Sequence, residues 1–250
     1  MNRQDLERAV YREFGYADSP ATAILNRVRG YLNDRHRRLL TLPGTEIFRR
    51  TTGPSVTLTA STAEYVLNLP AQKILTVRDT TNDQILQPRD LQWYRRVDPD
   101  PTTGTQEYWI PMGWTPALRD IGGTGLWVVS TIAGDTTQTV SVETIATNGS
   151  VTQTTAALNG TTRVQIGTAT THERLVRFAV DAAATGVVEL YDAATAGNRV
   201  SAIHVGRTGA QFIRIALWPT PAAADTISVD YVHHVRDFST AYDEPQLPID

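Results

Sequence analysis

After Gly44 the chain becomes a succession of short runs rich in Val, Ile, Thr and aromatic residues, with turn residues between them. Such runs bury apolar surface only by pairing with one another, so they predict an antiparallel β architecture for most of the chain. The first runs are 55–58, 64–67 and 73–78; 107–112 follows a short amphipathic helical turn at 89–96 and a loop at 98–101. From about residue 122 to 209 Thr, Ala and Gly dominate and charges thin out. The runs 126–132, 139–145, 163–167, 175–181, 187–191 and 199–205 have the spacing of a β-sandwich, Ig-like or jelly-roll-like, with Arg177 and Glu189 on polar phases. Asn148-Gly149-Ser150 and Asn159-Gly160-Thr161 match a glycosylation acceptor but read better as hairpin turns, because Asn-Gly accepts positive φ.

The runs 212–218 and 226–232, joined by Pro219-Thr220-Pro221-Ala222, lack a partner inside the threonine-rich stretch and are expected to rejoin the earlier sheet. The expected organisation is a host core of 1–118 with 212–250 and an inserted sandwich of 119–211, an arrangement tolerated when an insert leaves from an exposed turn. A length of 250 residues allows one or two domains, and 41% hydrophobic against 20% charged residues is ordinary globular composition.

Ahead of the β region lie two predicted helices. Leu6, Val10 and Phe14 recur every four residues over 4–14, and Gly15 offers a stop. Ser19-Pro20 reads as N-cap and first helical position of a second helix over 20–40, with Ile24, Leu25, Val28, Tyr31, Leu32 and Leu39 as its apolar face and Leu42-Pro43-Gly44 as its end. The fold class expected is therefore α+β: an N-terminal helical bundle with a small antiparallel β unit, plus an inserted all-β sandwich.

The net charge of −3 argues against general binding to nucleic acid or anionic membranes. The balance is uneven: residues 1–50 carry 10 Arg against 6 acids, a net +4, and the remainder carries 13 Lys+Arg against 20 acids, a net −7. The run Arg35, His36, Arg37, Arg38, with Arg27 and Arg29 upstream, is the strongest local feature. A solvated helix end, where cations complement the dipole, competes there with a contact to an acidic protein partner or to DNA phosphates.

Catalysis finds no foothold. Cysteine is absent, which removes disulfides, thiol nucleophiles and thiolate metal sites. His233 and His234 are adjacent, and neighbours on a strand point to opposite faces, so no shared metal is expected. Asp98-Pro99-Asp100 with Gly104 departs from a calcium loop in its prolines and missing twelfth-position Glu, and Asp79, Asp83 and Asp90 read as turn residues. The glycines Gly122, Gly123 and Gly125 precede a strand, not a phosphate-binding helix. No enzyme, cofactor or metal is expected. The first residues lack the apolar core of a signal peptide, and no apolar run reaches the roughly 20 residues of a membrane span, so a soluble, unsecreted protein is expected.

Four stretches in order carry a family resemblance: Leu25-Asn26-Arg27-Val28 with Asn33, Arg35 and Leu39; Glu64-Tyr65-Val66-Leu67-Asn68-Leu69-Pro70 followed by Lys73-Ile74-Leu75-Thr76-Val77; Pro88-Arg89-Asp90-Leu91 through Gly104-Thr105-Gln106-Glu107-Tyr108-Trp109; and Ile215-Ala216-Leu217-Trp218-Pro219-Thr220-Pro221 to Val229-Asp230-Tyr231. With the insert set aside, this order resembles the head-to-tail adaptor proteins of tailed bacteriophages, of the connector or tail tubular protein A type, over about 20–112 and 212–248. Two departures stand out: the proline often found before the tyrosine is missing ahead of Tyr108, and the chain ends just after Pro245-Gln246-Leu247-Pro248, where many relatives continue into a helix.

The resemblance implies a structural virion protein at the head–tail junction, made in the bacterial host cytoplasm. Its subunits form a homo-oligomeric ring, usually of twelve, under the portal protein. The ring presents a platform to a downstream tail or nozzle protein and lets DNA pass through its lumen during genome ejection without specific binding. Arg27, Arg29, Arg35, Arg37 and Arg38 then become a candidate partner interface, since arginines facing the lumen would retard DNA by binding phosphates. The 119–211 insert becomes an outward module for tail fibres or other partners. An alternative is a carbohydrate-binding or adhesin-like β-sandwich using Trp127, Tyr191 or Trp218 as stacking faces.

Overall fold

The computed structural model describes residues 2–17, 20–42, 44–97, 102–121, 125–146, 148–166 and 172–235. By contact density the chain divides into two units, Met1–Thr51 with Val232–Asp250, and Thr52–Tyr231.

The first unit holds α1 (Arg3–Glu13), α2 (Thr22–Leu40) and a 3-10 turn (Thr45–Arg49). Asn2 starts α1 with a reciprocal capping box: its Oδ1 accepts from Asp5 N at 3.0 Å, and Asp5 Oδ2 accepts from Asn2 N at 3.1 Å. Gly15, at φ 69°, ends it as expected, with Tyr16 N donating to Tyr11 O (2.8 Å) and Gly15 N to Arg12 O (3.2 Å), the double bond of a Schellman stop. The buried face of α1 differs from the expected one. Phe14 is 70% exposed, and the stripe that goes inside is Arg3, Glu7 and Tyr11. Electrostatics explains the choice, because Glu7 Oε1 lies 3.0 Å from Arg3 Nε and 2.9 Å from Arg29 Nε on α2, so an ion cluster lies between the two helices.

α2 begins at Thr22, two residues later than expected, with Ala21 as a cap that makes no side-chain hydrogen bond; Ser19 lies outside the described residues. Val28, His36 and Leu40 are buried, whereas Tyr31 and Leu39 are about half exposed and are not part of the buried face. His36 is thus packed inside, not displayed at the basic helix end. At the C-terminus the Leu40 carbonyl accepts from Thr45 Oγ1 (2.9 Å) and from buried Arg49 Nη2 (2.8 Å), and Arg49 Nη1 also donates to His233 O (2.9 Å). Burial lowers the Arg49 guanidinium pKa from its ordinary value.

The second unit is almost all β. The chain enters it along β1 (Arg50–Thr52), which crosses the division after Thr51, and continues with β2 (Val56–Thr57), β3 (Glu64–Leu67), β4 (Ala71–Asp79) and β5 (Gln84–Pro88). The helix α3 (Leu91–Val97), β6 (Thr103–Gly104) and β7 (Tyr108–Thr115) follow. The threonine-rich stretch supplies β8 (Leu126–Ser130), β9 (Thr139–Ala146), β10 (Val151–Ala157), β11 (Val164–Ile166), β12 (His172–Val180), β13 (Val188–Tyr191) and β14 (Arg199–Ile203). The chain closes with β15 (Phe212–Trp218), β16 (Thr220–Pro221) and β17 (Thr226–His233).

One sheet runs β1-β17-β4-β5-β7-β15-β3, with β2 also on β17, so the last apolar runs do rejoin the early strands. β15 pairs antiparallel with β7 from Phe212↔Thr115 to Trp218↔Tyr108, interrupted by a bulge between Arg214 and Ile215. The apolar cluster of this sheet includes Leu58, Leu67, Val77, Leu86, Trp109, Ile215, Leu217 and Val229. β5 was not expected as a strand; its turn from β4 is built by buried Asp79, which accepts from Thr81 N, Asn82 N and Asn82 Nδ2 at 2.8–2.9 Å.

β8 to β14 form two further sheets, β10-β9-β12 and β11-β8-β13-β14, which share a second apolar cluster drawn wholly from 121–203. Leu126, Val128, Val188 and Leu190 face Val140, Val142, Leu175 and Phe178 across it, a β-sandwich-like arrangement. The Asn148-Gly149-Ser150 segment turns β9 into β10: Gly149 has φ 80°, its N–H donates to Ala146 O, and Ala146 N donates to Ser150 O. The fold is α+β and mostly strand. No helix among the described residues is long and apolar enough to cross a membrane.

Candidate partner interface

At about 100° per residue along α2, Arg27, Arg38 and Arg35 fall within about 80° of one another, Arg37 lies about 80° to their other side, and Arg29 points opposite. The structure accordingly separates the five arginines. Arg29 belongs to the ion cluster with Glu7 and serves the packing of α1 on α2. Arg27, Arg35, Arg37 and Arg38 are exposed. Arg35 lies over the Tyr31 ring at 5.0 Å, and Arg38 Nε lies 3.2 Å from Asp34 one turn back. Both contacts are solvent-facing and contribute little to stability, so these side chains remain deployable.

Exposed apolar side chains gather in the same unit. Phe14, Tyr16, Tyr31, Leu39, Leu42, Ile47 and Phe48 make up seven of the twelve large hydrophobics left exposed among the described residues. Single exposed apolar residues are ordinary; aromatic side chains and arginine are the residue types enriched in protein–protein interfaces.

A second cluster escaped the sequence reading. Trp93 on α3, Tyr108 on β7 and Trp218 at the end of β15 approach within 5.0–5.8 Å between ring centroids, and exposed Arg89 lies 4.7 Å from the Tyr108 ring and 5.3 Å from Trp93. Asp90, one of the scattered carboxylates, caps α3 by accepting from Trp93 N at 2.6 Å. The i, i+4 spacing of Arg89 and Trp93 was the only local trace of this cluster; Tyr108 and Trp218 join it through sheet register.

On the four-stranded sheet of the sandwich, Trp127 stands directly opposite Tyr191, flanked by Gln165 and Arg199 in the same row. Both rings are half-buried and lie outside the apolar cluster. Arg163 covers the Tyr191 ring at 3.7 Å and donates to Ala193 O (2.9 Å), while Glu189 accepts from Tyr191 Oη (2.9 Å) and Arg199 Nη1 (2.6 Å). Burial first, then the Glu189 contact, raises the Tyr191 phenol pKa. Trp218 belongs to the other sheet and takes no part in this row.

Asp135, 2% exposed, is a buried carboxylate with four hydrogen-bond donors around it. Its Oδ1 accepts from Thr185 N (3.0 Å) and Thr185 Oγ1 (2.5 Å), and its Oδ2 from Ser130 Oγ (2.5 Å) and Gly186 N (2.9 Å). Burial alone would raise its pKa, but the donated hydrogen bonds outweigh it and hold the carboxyl below its ordinary value of 3.8. All its acceptor capacity is turned on protein groups, so it ties two loops of the sandwich together and offers no site for a ligand. His172 is likewise structural, 2% exposed with Nδ1 2.6 Å from Thr144 Oγ1, and burial lowers its pKa.

Among the described residues no group of three or more His, Asp or Glu is placed to hold a metal ion. Asp98, Pro99, Asp100, Gly122 and Gly123 lie outside the described residues. No family model, curated protein or solved structure matches the chain.

Proposed function

We propose that the protein is a structural head-to-tail adaptor of a tailed phage virion, forming a ring under the portal that connects capsid to tail and lets DNA pass. The observation that carries this reading is the concentration of exposed apolar side chains and outward arginines in Met1–Thr51. It is supported by the ordered sequence stretches of the resemblance, three of which contribute strands to one sheet around one apolar cluster. In this reading α1 and α2 complete a helical bundle with neighbouring subunits or the portal. Arg27, Arg35, Arg37 and Arg38 face an acidic protein surface, and 119–211 projects outward as an interaction module. A ring needs heterologous contacts, in which different faces of one subunit meet, and a net +4 segment on a chain whose remainder is −7 suits such an arrangement.

The test is the mass of the purified protein alone and with purified portal rings, by light scattering and negative-stain microscopy. A ring on the portal is expected; a chain that ignores portal rings overturns the reading.

A second reading is favoured by one observation, the opposed and half-exposed Trp127 and Tyr191 on the sandwich sheet. It makes 119–211 a carbohydrate-binding module, with sugar stacking on Trp127 and polar contacts from Gln165 and Arg199. Glycan-array binding that disappears in Trp127→Ala supports it.

A further inference from the structure

The cluster around Trp218 has two chemical features left unspent. Arg89 is exposed, and its guanidinium, 4.7 Å from the Tyr108 ring centroid and 5.3 Å from that of Trp93, makes no hydrogen bond or ion pair with any described residue. Its backbone is fixed as well, since Arg89 N donates to Trp109 O at 3.0 Å. Trp218 Nε1 is buried and meets no acceptor among the described residues. An orphaned buried donor is costly, and an acceptor supplied from outside recovers that cost. A guanidinium stacked on aromatic rings keeps all its donors for a planar carboxylate.

A ligand matched to this surface carries a carboxylate for Arg89, flat apolar rings for Trp93 and Tyr108, and a free main-chain carbonyl for the indole N–H. An acidic, proline-containing segment has all three. Polyproline II geometry makes no internal hydrogen bonds and repeats every three residues, so prolines three apart share a face while the carbonyls stay free. This chain contains such a segment outside the described residues: Asp243-Glu244-Pro245-Gln246-Leu247-Pro248, in a C-terminal stretch 236–250 with four acidic residues against one arginine.

We propose that the surface formed by Arg89, Trp93, Tyr108 and Trp218 binds residues 243–248 of a second copy of this chain. Asp243 or Glu244 pairs with Arg89, Pro245 and Pro248 pack on the rings, and a carbonyl of the segment accepts from Trp218 Nε1. The inference rests on the ring reading and deepens it, because each subunit then gives a tail to one neighbour and receives one from the other. Such contacts are weak singly and accumulate on closure.

The test uses two full-length variants. Arg89→Glu spoils the surface and keeps the tail; the double change Glu244→Lys with Pro245→Ala spoils the tail and keeps the surface. By sedimentation equilibrium up to high-micromolar concentration the wild type is expected to self-associate, and each variant alone to do so at least about tenfold more weakly. A mixture of the two variants is expected to form a one-to-one dimer, since one intact tail meets one intact surface; that recovery also shows that both variants are folded.

A wild type that stays monomeric overturns the proposal, as does an Arg89→Glu variant that associates like wild type or a mixture that recovers nothing. An intramolecular tail contact gives the first of these results. The ring reading is judged separately on portal rings: dimer recovery with no ring on the portal keeps this contact and overturns that reading, whereas normal portal rings from the tail variant overturn this contact alone.

Discussion

Replacing Asp135 by Asn tests the claim that this carboxylate holds the sandwich loops together. The substitution keeps the shape and one carbonyl oxygen, which can still accept from Thr185 N and Thr185 Oγ1. The amide NH2 then faces Gly186 N, where a donor meets a donor; flipping the amide moves the conflict to Thr185 N. Ser130 Oγ can rotate to accept, so the net loss is one charge-assisted hydrogen bond and one orphaned backbone N–H. That corresponds to about 2–3 kcal/mol, and Asp135→Ala, which orphans both backbone N–H groups, to about 3–5 kcal/mol.

Amide hydrogen exchange at Thr185 and Gly186, alongside urea denaturation of the full chain, reads this directly: about 2–3 kcal/mol is a rise of roughly 30- to 150-fold in exchange through opening of the sandwich. The folded carboxyl pKa lies below 3.8, so its stabilisation is fully present above that value and is lost as pH falls through the folded pKa. The gap between wild type and Asp135→Asn should therefore be constant above about pH 4 and close only at lower pH. An Asp135→Asn protein with unchanged exchange at both amides, or a gap that closes near neutral pH, refutes the reasoning.

Charge reversal at Arg35, Arg37 and Arg38 should leave thermal stability nearly unchanged, because the Arg35–Tyr31 and Arg38–Asp34 contacts are exposed, yet impair co-sedimentation with portal rings more than DNA passage; normal docking of the triple variant refutes the interface. Glu7→Gln should destabilise Met1–Thr51 by about 2–3 kcal/mol, somewhat less than a fully buried pair because the Arg29 side chain is 37% exposed, with helix content by circular dichroism as the readout. Gly160→Ala should lower the melting temperature: Gly160 has φ 54°, and an added Cβ would run into the Ala133 carbonyl, so strain and collision add. Equal stability of Gly160→Ala and wild type would show that the turn relaxes freely.

The strands 64–67, 126–130, 139–146, 188–191 and 212–218 were legible because β-branched residues alternate between turn residues, and period and punctuation are local properties. The β9–β10 turn was legible from Asn148-Gly149, although β10 itself was not. Val151–Ala157 is mostly Thr, Gln and Ala with no apolar phase, and it is a strand because its backbone pairs with β9 from Val151↔Ile145 to Ala157↔Thr139. β5 escaped for a related reason: its residues alternate weakly, and the Asp79 turn that sets it beside β4 is an arrangement of three backbone and side-chain donors.

Residue spacing alone determined that the chain is two helices followed by β structure, where α1 stops, and that the last two long strands leave the threonine-rich stretch to find partners elsewhere. The tertiary structure decided which faces are buried and which side chains meet. Leu6, Val10 and Phe14 looked like the inner stripe of α1, but Arg3, Glu7 and Tyr11 took that place because Glu7 meets Arg29 on another helix. Five arginines that read as one basic patch were divided by the helix itself, one turned toward Glu7 on α1 and four exposed elsewhere. Asp135 gained its four donors from residues 130, 185 and 186, and Arg89 its two rings from two separate elements, α3 and β7. Periodicity is carried by neighbours in sequence, whereas burial of charge and convergence of rings depend on partners far along the chain, which only the folded register brings within reach.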